Sequence, residues 1–248
     1  MFVKIIRYAW QGTLFFAIKN KLGLLSKQSA NPDHYHGETA KNYLKKRLKQ
    51  EFWHKEQLIV RDLLVNVPNG SSVLDVAFGT GRFVDMYLEK NMSVYGIDIS
   101  EDMLAVAKEE LGEFYDYCHI ELGSADSLPY KEASFDLVVC FRFFGLIPFD
   151  MARRVLSEIH RVSRGVVIVR VPVRKRTAKP LPSPKDSDAV QGRLYENEII
   201  EFFSDYGFVV QEQRLIGDRG NVDFIVYVLS KSTSTVAQES MKSGSVSE

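Results

Sequence analysis

Three acids and two glycines mark the positions most able to do chemistry. In "VLDVAFGTGRF", Val73 to Phe83, a mostly apolar run carries Asp75 and then turns through Gly79 and Gly81. Asp98 closes the next apolar run, "VYGIDIS", and Asp126 sits in "GSADSLPY". Glycine admits backbone close to a ligand where a Cβ would clash. In open parallel sheets, ligands bind beyond the carboxyl ends of the strands, where the first strand turns into its helix. A Walker loop is excluded because no Gly-Lys-Ser/Thr follows, and the third glycine of a dinucleotide fingerprint would fall on Val84. A carboxylate beside a pyrophosphate would also repel it. Asp75 therefore points to a ligand presenting cationic or hydrogen-bond-donor groups. Asp98, at the second strand end, points to the two hydroxyls of an unphosphorylated ribose. Together they describe a nucleoside that bears an amino acid and no phosphates.

The elements that must hold these residues alternate along the chain. "AKNYLKKRLKQEFWHKEQLIVRDLLVNV" reads as one helical stretch, with Tyr43, Leu44, Leu48, Phe52 and Trp53 at near-helical spacing, and "PNGSS" breaks it. "SVLDVAF" reads as a strand, "GRFVDMYLEKN" as a helix, "SVYGIDI" as a strand, and "SEDMLAVAKEELGE" as a helix with Ser100 as N-cap. Strands over "HIELGSA", "FDLVVCF" and "GVVIVRVPV" follow, with the helix "DMARRVLSEIHRV" before the last of them. The helix "ENEIIEFFSDYG" leads into the paired strands "FVVQEQRLI" and "VDFIVYVL". The predicted fold is α/β: a Rossmann-like, doubly wound, mostly parallel seven-stranded sheet with an antiparallel last strand, plus N-terminal helices.

Composition fits a soluble globular protein of 248 residues, 45% apolar and 26% charged. Lys plus Arg equals Asp plus Glu, 32 each, so no global charge selects nucleic acid. The first 49 residues are nevertheless basic, carrying only Asp33 and Glu38 as acids. Two cysteines, Cys118 and Cys140, make no disulfide framework and fit a reducing cytoplasm. Residues 1–28 form an apolar-basic leader in which Lys4, Arg7 and Gln11 share one helical side. It is either an interfacial helix on an anionic membrane or a helix packed on the domain or on a second copy. Residues 29–230 are expected to form the main domain, and residues 231–248 a disordered tail.

The ordered motifs resemble those of the class I S-adenosylmethionine-dependent methyltransferases, in particular the small-molecule, methyltransferase type 11-like branch that includes ubiquinone and menaquinone methylases. The resemblance runs from about Val73 to Val228 and rests on "VLDVAFGTGRF", "VYGIDISEDMLAVAK", "GSADSLPYKEASFDLVVCF" and "RLYENEIIEFFSDYGF". It implies S-adenosyl-L-methionine as cofactor. Gly79 and Gly81 would line its methionine end, and Asp75 would hold its ammonium group directly or through water. Asp98 would take the ribose hydroxyls, with Ile99 and Met103 on adenine. Asp126 would accept from the adenine amino group, flanked by Ala125 and Ser127, and Phe141 and Arg142 would face the site. Ala77 stands where the family usually has glycine, a methyl that is tolerable if its φ is negative.

Other residues carry weaker signals. Gly81 could serve only close helix–strand packing, and His160 lies on a helix expected to cover the sheet. His34 and His36 in "DHYHG" lack the accompanying ligands of a metal site. Tyr43, Arg47 and Trp53 form either a packed helix or a lid. "RVPVRKRTAKPLPSPKDSD" is either a solvated loop or a basic flap. No residue identifies itself as a catalytic base. The apolar "CFRFFGLIP" after the fourth strand favours a small or amphipathic acceptor, such as a sugar, a lipid-linked glycan or a quinone-like ring, over nucleic acid. The reading of another class is a non-catalytic protein of the same fold, acting as a binding or membrane-tethered partner.

Overall fold

The computed structural model describes residues 38–179, 190 and 192–232. The leader, His34, His36, most of the basic segment after the fifth strand and the tail from residue 233 lie outside the described residues. Seven strands form one sheet: β1 (Ser72–Val76), β2 (Ser93–Asp98), β3 (Cys118–Leu122), β4 (Phe135–Cys140), β5 (Ser163–Arg174), β6 (Phe208–Arg219) and β7 (Val222–Lys231). Their order is β3-β2-β1-β4-β5-β7-β6, with β7 antiparallel to both of its neighbours. The predicted sheet, including its antiparallel last strand, is the one observed.

Period-two alternation assigns the two cores. Leu74 and Val76 of β1 point to the face covered by α5 (Phe149–Val162) and α6 (Glu196–Asp205). Val73 points to the other, covered by α2 (Glu51–Leu64), α3 (Val84–Glu89) and α4 (Glu101–Leu111). α5 buries Ala152, Val155, Leu156, Ile159 and Val162, a continuous stripe at helical spacing. His160 falls beside that stripe and packs edge-on against Phe208, with the ring centroids 5.2 Å apart. Ser100 caps α4, its Oγ accepting from Met103 N at 3.2 Å. At the amino ends of the central strands, Asp136 accepts from Ser72 N and from the Arg164 guanidinium, tying β1, β4 and β5 together.

One sequence expectation changes. The single helix expected over "AKNYLKKRLKQEFWHKEQLIVRDLLVNV" is two, α1 (Glu38–Arg47) and α2, separated at Gln50, whose φ of −92° and ψ of 124° are extended. The break has a packing cause. α1 sits over α4, where Ala40 joins Met103 and Val106, whereas α2 packs on the sheet through Val60, Leu63 and Leu64. No straight helix could reach both surfaces. Among the described residues, no helix is long and apolar enough to cross a membrane.

Candidate cofactor and acceptor site

Beyond the carboxyl ends of β1, β2 and β4 lies a cavity of about 130 Å³, joined to a smaller one of about 30 Å³. Both are lined by Tyr43, Ala77, Gly79, Phe141 and Arg142. The larger adds Asp98, Ile99, Met103 and Ala125 on one side and Phe143, Leu146, Ile147 and Met151 on the other. The smaller adds Asp75, Trp53 and Arg82.

The turn after β1 has an unusual backbone. Ala77, Gly79 and Gly81 have φ of 59°, 59° and 65°. The negative φ that would make Ala77 tolerable is therefore not found, and its methyl is held in the left-handed region. That conformation costs roughly 1–2 kcal/mol for a residue with a Cβ. Ala77→Gly is accordingly expected to stabilise the protein by about 1 kcal/mol, less the extra chain entropy of glycine, read as a higher urea midpoint at unchanged slope. Gly81 lines neither cavity. A Cβ there would lie 2.6 Å from Leu111 Cδ1 and 2.8 Å from Phe78 Cζ, so its structural role is close packing.

Asp98 lines the larger cavity. Its Oδ2 accepts from Gly79 N at 2.8 Å and its Oδ1 from Ser100 N at 2.9 Å. These bonds fix the carboxylate at the cavity edge while burial raises its pKa. Asp75 lies inside β1, paired on both sides by β2 and β4. Only 3% of it is exposed, and its Oδ2 accepts from Tyr87 Oη at 3.1 Å. Burial pushes its pKa up to about 8. Ile99 is largely exposed at the cavity rim and Met103 is buried beneath it. Asp126 and Ser127 do not line the cavity. The Asp126 carboxylate is taken up by Ser124 Oγ and, at 3.0 Å, by Arg154 Nε. Ala125, between these partners, does reach the wall.

The structure adds a group with no sequence signal. Glu56 of α2 is fully buried and faces three guanidinium groups: Arg82 Nη1 at 2.7 Å, Arg142 Nε at 2.7 Å and Arg170 Nε at 3.2 Å. The Arg170 contact is an ion pair without hydrogen-bond alignment. Arg82 is stacked 3.7 Å from the Trp53 ring and 4.4 Å from Phe83. Trp53 is thus core rather than lid, while Tyr43 lines both cavities. Arg142, directly after β4, also has a positive φ, 58°.

Residues 73–165 match the family model described as a methyltransferase domain. The matched stretch carries β1 to the start of β5, so this part of the chain is similar to a methyltransferase domain in both sequence and sheet order. Over 115 residues the chain is 36% identical to a demethylmenaquinone methyltransferase of Bacillus mycoides, covering 44% of this chain and 46% of the relative. It thus spans about half the length of the curated relatives it matches. A magnesium protoporphyrin IX methyltransferase from Synechocystis PCC 6803, solved with bound S-adenosylmethionine, superposes with a TM-score of 0.63 at 20% identity, over 84% of this chain and all of that one. A geranyl diphosphate C-methyltransferase from Streptomyces coelicolor gives 0.58 at 11% identity, over 79% and 85%. At these identities the superpositions establish the fold.

Proposed function

We propose that this protein transfers a methyl group from S-adenosylmethionine to a small or amphipathic acceptor with a quinone-like ring. The observation that carries the reading is the Asp98 carboxylate, held by two backbone N–H groups at the edge of a cavity whose far wall is apolar. The donor set fits the cofactor. Asp98 has lone pairs left for the ribose hydroxyls, Ile99 and Met103 offer apolar surface to adenine, and Asp75 offers a carboxyl to the ammonium. Gly79 leaves room for the methionine backbone. Asp126, committed to Ser124 and Arg154, shapes the loop that presents Ala125. When bound, S-adenosylmethionine supplies a methyl group made electrophilic by its sulfonium.

The protein's task is then alignment, worth up to about 7–11 kcal/mol when the reacting atoms are held in line. Phe143, Leu146, Ile147 and Met151 form the wall against which a flat apolar ring can rest. The curated relatives named for demethylmenaquinone support an acceptor of that type.

Calorimetric titration of S-adenosylhomocysteine into wild type and Asp98→Ala tests the reading. Loss of charge-assisted hydrogen bonds worth roughly 1.5–3 kcal/mol predicts affinity weakened about ten- to hundredfold. Equal affinity in the variant, or none in the wild type, would refute it.

A further inference from the structure

We propose that Arg142 is a seat for an oxyanion of the acceptor, so that the acceptor binds with its acidic hydroxyl, or a carboxylate, already ionised. This rests on the methyltransferase reading above and names the chemistry its acceptor must carry.

The argument begins with charge. Arg82, Arg142 and Arg170 converge on Glu56, so three cations face one carboxylate, and the side chains of all four are at least about nine-tenths buried. Two positive charges are left in excess where water is scarce, a costly arrangement unless an anion completes it. Burial and mutual repulsion pull the Arg170 pKa down to about 10 and lower that of Arg82. In the unliganded site the neighbouring Asp75 does little to offset this charge, because burial pushes its pKa up to about 8. The cofactor does not cancel it either. Its carboxylate is outweighed by an ammonium and a sulfonium, so an anionic acceptor is the ligand that lowers the excess positive charge at this end of the cavity.

Among the three arginines, Arg142 is the one placed to meet an acceptor. It lines both cavities, and the larger one continues directly into Phe143, Leu146, Ile147 and Met151. Its Nε goes to Glu56 and its Nη1 to Gln50 at 3.2 Å, whereas its Nη2 is buried without a hydrogen-bond partner among the described residues. A left-handed backbone at a non-glycine residue is retained only where its surroundings over-determine it, and here it sets the arginine at the junction. The seat also accounts for the lack of an evident base. A guanidinium beside an acidic hydroxyl favours the ionised form, and the proton passes to solvent as the acceptor binds.

The test is a binding comparison on the full chain at saturating S-adenosylhomocysteine, using 2-hydroxy-1,4-naphthoquinone, its 2-methoxy ether and 2-naphthoate. The hydroxyl compound is expected to bind at least tenfold more tightly than the ether. That preference should disappear in Arg142→Gln and persist in Arg142→Lys, which retains the charge and controls for folding. Tight, Arg142-dependent binding of 2-naphthoate alone would assign the seat to a carboxylate. Equal binding of hydroxyl compound and ether, with no Arg142-dependent hold on 2-naphthoate, or a preference that survives Arg142→Gln, would overturn the proposal. The same comparison without the nucleoside decides the seat independently, since failure of S-adenosylhomocysteine to bind would refute only the reading it rests on.

Discussion

Replacing Glu56 with glutamine is expected to lower the unfolding free energy by about 3–5 kcal/mol, the scale seen when one partner of a buried ion pair is removed. Arg82, Arg142 and Arg170 would face one another with no anion among them, and each is shielded from water. Arg82 also anchors the Trp53 ring, which in turn meets Tyr43 edge-on at 6.4 Å, so the loss should spread to the cavity wall. Urea unfolding followed by circular dichroism measures the effect. The control is Glu51→Gln, which breaks an exposed, solvent-screened i,i+4 pair with Lys55 and should leave the urea midpoint nearly unchanged. Equal midpoints for wild type and Glu56→Gln would mean that the cluster is hydrated and the charge argument fails.

Asp75→Asn is expected to remove most of the pH dependence of stability between pH 4 and 8. The folded-state pKa of Asp75, about 8, lies above its unfolded value of 3.8 because burial disfavours the charged form. A group raised in this way holds its proton in the folded state and loses it in the unfolded state. Its contribution is therefore complete below pH 3.8 and declines as pH rises toward 8, by about 1.4 kcal/mol for each pH unit crossed. Asparagine keeps the shape without the titration, so the variant's urea midpoint should fall less steeply than the wild type's, the remaining slope coming from other buried acids such as Asp98 and Asp85. The same group links pH to ligand. An ammonium next to Asp75 favours the carboxylate, so S-adenosylhomocysteine binding should release a proton and tighten as pH rises from 6 to near 8. Above that the ligand's own amino group, with a pKa of about 7.7–8, begins to lose its charge. Titrations in two buffers of different ionisation enthalpy count the proton. Absence of a buffer dependence would place the ammonium elsewhere.

The residues that announce the domain are local in sequence. Gly79, Asp98 and the apolar alternation around them lie within two short segments, and period two or 3.6 is enough to place them on strands, turns and helices. The α/β order, the antiparallel last strand and the cavity-lining positions of Asp98, Ile99, Met103 and Ala125 could be read from that pattern and the resemblance it carries. Gly81 and Asp126 show the limit of the same logic. A glycine in a turn reads alike whether it clears space for a ligand or for Leu111, and an acid in a loop reads alike whether free or bound to Arg154. The sign of φ at Ala77 is likewise invisible, since the turn that forces it is closed by the sheet. Nothing in sequence joins Glu56 to Arg82, 26 residues on, or to Arg142, 86 residues on. Separations of that size have no periodicity. The sequence by itself determined the sheet, its topology and the place of the cavity at its strand ends, because those follow from local pattern. Only the tertiary structure decided the charge of the site, because Coulomb energy depends on distance and burial, and both are set when α2 folds back over β1, β4 and β5.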